Sequence, residues 1–152
     1  MTLNQKETNF INDLKSQEQL CIEKYTRYAN EACDPQLKNL FTDIGNTERG
    51  HLDTLNKLAS GTVPAMNGGG SSVKTKASFK ASSCNQQGKD NDKYLCSDAL
   101  AMEKHVSSEY DTSIFEFCSQ DVRNVLNHIQ KEEQEHGEEL YSYMAVNGMY
   151  NA

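Results

Sequence analysis

The sequence predicts an all-α chain: a four-helix bundle made of two helical hairpins joined by one long connection. Three observations predict it. Apolar residues recur at three- and four-residue intervals in four separate stretches, as they do on helices that bury one face. The two halves repeat one another without gaps at an offset of 85 residues. Between them, residues 61–92 hold almost no aliphatic side chains and cannot supply a packed element. The expected division is a hairpin over 8–60, a connection over 61–92 and a second hairpin over 93–147, all in one domain of 152 residues.

The first helix is read from Leu14, Cys21, Tyr25, Tyr28 and Ala32. Asp34-Pro35 then offers an N-cap side chain and a proline whose missing N–H costs nothing in a first turn, so the second helix starts there. Its stripe runs through Leu37, Phe41, Ile44, Leu55 and Leu58, and Gly61 suits the left-handed position just past its end. The connection contains Gly68-Gly69-Gly70-Ser71-Ser72. Ala99, Val106, Tyr110, Ile114 and Phe117 mark the third helix. Ser119 caps the fourth, which follows Val122, Leu126, Ile129, Leu140 and Tyr143 and stops at Asn147-Gly148.

Composition narrows the function classes. No apolar run approaches the roughly 18 residues of a membrane span, and the start of the chain has no signal-like apolar stretch, so a cytoplasmic protein is expected. A net charge of −7 argues against a nucleic-acid surface. The five cysteines form no Cys-x-x-Cys pair, which argues against a disulfide framework and against a rubredoxin-like or zinc-ribbon site.

Aligning the repeats pairs Glu18 with Glu103, Tyr25 with Tyr110, Cys33 with Cys118, Glu48 with Glu133 and His51 with His136. Four of these pairings carry charge or a hydroxyl into an apolar stripe. Glu48 and His51 interrupt the second stripe, Glu133 and His136 the fourth, and Glu18 and Glu103 fall on the first and third. Four buried carboxylates would repel one another and resist ionisation, and Lys15, Lys24, Arg27, Lys38, Arg49 and Lys57 lie off the stripes. Two divalent cations close the arithmetic, +4 against −4, with two neutral imidazoles completing the shells. A Glu-x-x-His step turns about 300° around a helix, so both side chains face one cavity. One Glu from each of two helices plus Glu-x-x-His from the other two is the ligand set of di-iron and di-manganese carboxylate bundles.

Glu18 with Tyr25, Glu48-Arg-Gly-His51, Glu103 with Tyr110, and Glu133-Gln-Glu-His136 together resemble the ferritin-like superfamily of rubrerythrin and bacterioferritin type. The resemblance spans roughly residues 8–60 and 93–146. It implies an up-down-down-up bundle whose long crossover links parallel helices two and three. It also implies two iron or two manganese ions, with Glu48 and Glu133 bridging them, Glu18 and Glu103 capping one each, and His51 and His136 binding one each. Val106 stands where rubrerythrins place a further Glu, and a rubredoxin-like four-cysteine segment is missing, so any electron donor is expected to be external. No fifth helix follows Asn147, unlike a cage-forming ferritin. The ending Tyr141-Ser-Tyr-Met-Ala-Val-Asn-Gly-Met-Tyr150 further resembles spore coat protein F.

The expected function is redox chemistry at the metal pair, acting on peroxide or dioxygen or oxidising ferrous iron. The alternative is a structural or metal-storing spore coat protein with little turnover. A homodimer is expected by family analogy. Tyr25 and Tyr110 are candidates to hydrogen-bond a carboxylate or relay an electron, against a reading as core filler. Cys33 and Cys118 are expected in the core, and His105 and His128 on exposed faces. Glu132 is a candidate to orient a ligand histidine from a neighbouring helix, with Thr47 at the matching place in the first repeat.

Overall fold

The structure is a computed structural model and describes residues 1–65 and 77–150; the glycine-serine run at 68–72 lies outside them. The described chain is all-helical, with four helices: α1 (Gln5–Glu31), α2 (Pro35–Ala59), α3 (Gln86–Ile114) and α4 (Gln120–Val146). None is long and apolar enough to cross a membrane.

Local chemistry sets the helix ends. Asn4 and Glu7 form a capping box, each side chain accepting from the other's backbone N–H at 2.9 Å, which starts α1 ahead of residue 8. Asp34 caps α2 by accepting from the N–H of Gln36, with Pro35 in the first turn. Past α2, Gly61 takes a φ of 84°, and the N–H of Thr62 donates to the Lys57 carbonyl at 2.9 Å. Past α4, Gly148 has a φ of 64°, and the N–H of Met149 donates to the Met144 carbonyl at 2.9 Å. Both are the six-to-one closure that a glycine at this position permits.

α3 begins at Gln86 rather than near residue 93. Its first turns carry no apolar stripe because polar contacts anchor them. Asn85 accepts from the N–H of Gly88 at 2.9 Å, and the fully buried Asp92 accepts from the N–H groups of Cys33 at 2.7 Å and Asp34 at 2.9 Å. Here too Cys33 is disulfide-bonded to Cys84, a single bridge that the reading against a disulfide framework did not anticipate. Cys33 is exposed, and so is Cys118, so neither is the core residue expected. The two lie in the turns that end their hairpins' first helices, outside the packed stripes.

α1 packs along α2 and α3 along α4, with α1 also meeting α3 and α2 meeting α4. Tyr25, Leu37, Phe41, Leu55, Tyr110, Leu126 and Tyr143 are fully buried between them. Each such aliphatic or aromatic side chain contributes about 1.5–3 kcal/mol. At one end of the bundle the Tyr143 hydroxyl donates to Asp34 at 2.8 Å, joining the tail of α4 to the α1–α2 turn and the head of α3. At the other end Glu7 accepts from the N–H of Cys118 at 3.0 Å, and Lys6 pairs with Glu116.

Candidate metal centre

Six side chains interrupt the apolar stripes midway along the helices, and the structure brings all six together. Glu18, Glu48, His51, Glu103, Glu133 and His136 are each at most 3% exposed. They form two overlapping groups, Glu18–Glu48–His51–Glu133 and Glu48–Glu103–Glu133–His136, within which one potential ligand atom per residue lies within 4.8 Å of the others. Glu48 and Glu133 belong to both groups. The imidazoles stack with centroids 5.9 Å apart, and each turns Nδ1 toward the carboxylates. His51 Nδ1 lies 2.8 Å from Glu48 and 3.0 Å from Glu133. His136 Nδ1 is 3.3 Å from Glu48 and 3.5 Å from Glu103.

The electrostatics are those of a cluster without enough positive charge. Burial pushes Glu18 up to about 8, and repulsion from Glu133 and Glu48 adds to it. Burial likewise raises Glu103 well above the usual carboxylate range. Burial opposes ionisation of Glu48 and Glu133 too, yet close partners, the imidazoles among them, hold both below their ordinary values. Both histidines are raised: burial works against their charge, and the surrounding carboxylates outweigh it. Protons therefore do the neutralising. Even so, one oxygen each of Glu18, Glu48 and Glu103, both of Glu133, and both ring nitrogens of His136 are buried without an aligned hydrogen bond. Orphaned carboxylate oxygens and imidazole nitrogens converging on one volume fit a pair of hard or borderline divalent cations.

The tyrosines contact the cluster crosswise. Tyr25 on α1 donates its hydroxyl to Glu103 on α3, and Tyr110 on α3 donates to Glu18 on α1. Each thereby fixes the carboxylate of the opposite hairpin. The histidines are less alike. His51 Nε2 lies 2.7 Å from Glu132, whereas the Thr47 hydroxyl, at the matching place in the first repeat, donates to the Asp43 carbonyl at 3.3 Å. His105 and His128 are exposed, as their off-stripe positions predict. Sequence reasoning missed Glu7 and Asp92, which hold the two ends of the bundle. The Asn-x-x-Glu spacing at Asn4 and Glu7 is a signal for the first; the second is marked only by the repeat, which pairs Asp92 with Glu7 as it pairs Cys33 with Cys118.

The α3–α4 hairpin supplies Glu103, Tyr110, Glu132, Glu133 and His136, and its sequence decides the comparison with known proteins. Residues 91–152 match the Coat F domain family. No curated protein and no solved structure matches the chain significantly. The Coat F segment thus holds half of the buried cluster, and its internal copy in α1 and α2 holds the other half.

Proposed function

We propose that this chain is a spore coat protein of the Coat F kind whose ferritin-like bundle holds two divalent metal ions. The observation that carries the metal reading is the convergence of four glutamates and two histidines on one buried volume with orphaned polar atoms. Glu18 and His51 would serve one ion and Glu103 and His136 the other, with Glu48 and Glu133 shared. The up-down-down-up order is supported by the contacts at one end, where the α1–α2 turn meets the head of α3 and the tail of α4, and at the other, where the start of α1 meets the α3–α4 turn. A coat setting is supported by the Coat F match and by the Cys33–Cys84 bond, a cross-link that persists outside a reducing cytoplasm.

In this reading the ions tie the four helices together, replacing protons that the buried carboxylates otherwise retain. Tyr25 and Tyr110 hold Glu103 and Glu18 in place, and Glu132 orients His51. A second reading, redox turnover of peroxide or dioxygen with an external electron donor, is favoured by one observation: a groove leads from the surface to Glu103 and Glu133. An iron or manganese pair supplies two one-electron changes to a single O–O bond.

The test is elemental analysis of protein purified without chelator, followed by peroxide added to the reduced, iron-loaded chain under anaerobic conditions. Two tightly held ions per chain without peroxide loss support the structural coat reading. Two ions with rapid loss support turnover. No metal in any preparation would sink the centre itself.

A further inference from the structure

The internal repeat allows the two outer seams of the bundle to be compared position by position. In the α1–α2 seam, the surface groove is lined by Lys15, Leu52 and Asn56 among others and touches no member of the buried cluster. In the α3–α4 seam, the matching positions are Leu100, Gly137 and Tyr141, and the groove there extends to Glu103 and Glu133. It encloses about 420 Å³; its exposed wall is mostly apolar, Lys104, Ser107 and Gln134 also line it, and the exposed Tyr141 and Tyr150 meet edge to face on it at 5.2 Å. The decisive difference is at one position. Leu52 puts a branched side chain against its seam, whereas Gly137 has none.

We propose that the α3–α4 groove, kept open by Gly137, is the entrance by which a small uncharged molecule of dioxygen's size reaches the Glu103–His136 side of the metal pair. This rests on the metal reading above. A mostly apolar exposed wall that ends on two buried carboxylates favours an uncharged molecule over an anion. A Cβ placed on Gly137 would lie 3.7 Å from Leu100 Cδ1, an ordinary contact, so alanine fits. A leucine reaches further and occupies the groove. Among the described residues, the groove of the opposite seam, with Leu52 on its wall, reaches no member of the cluster. Gly137 is a gatekeeping position and not a catalytic residue, since it touches no reacting atom.

The experiment is stopped-flow binding of nitric oxide, an uncharged diatomic, to the ferrous-iron-loaded full chain under anaerobic conditions. Gly137→Leu is expected to slow binding at least tenfold, with iron content and final nitrosyl absorbance unchanged. Gly137→Ala should fall between it and the parent. Leu100→Trp, which narrows the same groove from its other wall, should repeat the slowing in a chain with Gly137 intact, so misfolding of one variant does not decide the matter. Iron retained with an unchanged rate in both Gly137→Leu and Leu100→Trp would overturn the entrance and redirect attention to the cavity beside His136 and Thr47. A parent chain that takes up no iron would overturn the metal reading, and the entrance with it.

Discussion

Glu132 contacts His51 of the buried cluster and not His136, so in the proposed two-metal reading replacing it with alanine should set the two ion sites apart. Glu132 lies 2.7 Å from His51 Nε2, and with Nδ1 turned to the cluster that nitrogen carries the proton it donates. Loss of such an orienting carboxylate costs about 10–100-fold in metal affinity, which is about 1.4–2.7 kcal/mol. The Glu132 side chain is 24% exposed, so water screens part of the interaction and the lower end, roughly tenfold, is expected. His136 has no matching carboxylate at Thr47. The assay is competition for manganese(II) against a chromophoric chelator, read as a two-site isotherm. Glu132→Ala should weaken one ion and leave the other at its parental affinity, with Glu132→Gln intermediate. Equal weakening of both ions, or of neither, would refute the assignment of Glu132 to His51.

Tyr110→Phe leaves a buried oxygen of Glu18 without its donor and should cost the metal-free protein about 1–3 kcal/mol in urea unfolding; Tyr25→Phe should do the same through Glu103. Glu18, raised from 4.5 to about 8 in the fold, holds a proton there that the unfolded chain releases. Its contribution is therefore complete below 4.5 and is lost as pH rises through 8, so the metal-free urea midpoint should be lower at pH 9 than at pH 6. Metal affinity should move the opposite way, rising over that range as the competing proton leaves. Cys33→Ser opens a covalent ring whose ends are 51 residues apart, and loop entropy places the loss at roughly 4 kcal/mol. Comparing that variant with the oxidised parent in urea checks it, and equal midpoints would show that the cross-link contributes nothing.

The helices and the cluster were legible because one pattern encodes both. Glu48 with His51, and Glu133 with His136, are conspicuous only because Leu37, Phe41 and Ile44, or Val122, Leu126 and Ile129, establish a stripe around them. Both glycine closures were readable for a local reason, since a left-handed residue after a helix is a property of a few consecutive positions. What stayed hidden depends on partners distant in sequence. The head of α3 is polar because Asp92 serves the backbone of Cys33 and Asp34 across the bundle, and periodicity does not register such a contact. Cys33 was misread because a thiol near a helical stripe was taken for a small core hydrophobe, while its actual partner Cys84 has no counterpart in the repeat. The groove was invisible for the opposite reason. A missing side chain at Gly137 carries no signal until the seam around it is seen.

The crossed tyrosine bonds have a consequence for how such a cage arises. Because Tyr110 holds a carboxylate of the first hairpin and Tyr25 one of the second, a lone hairpin carries only half a cage and a hydroxyl with nothing to hold. Its natural complement is a copy of itself turned about a two-fold axis, each contributing two glutamates, one histidine and one tyrosine. Joining two copies in one chain makes that encounter intramolecular, so closure no longer depends on protein concentration. It also ends the obligation to be symmetric. Thr47 opposite Glu132, and Leu52 opposite Gly137, are substitutions that a dimer of identical hairpins would have to make twice.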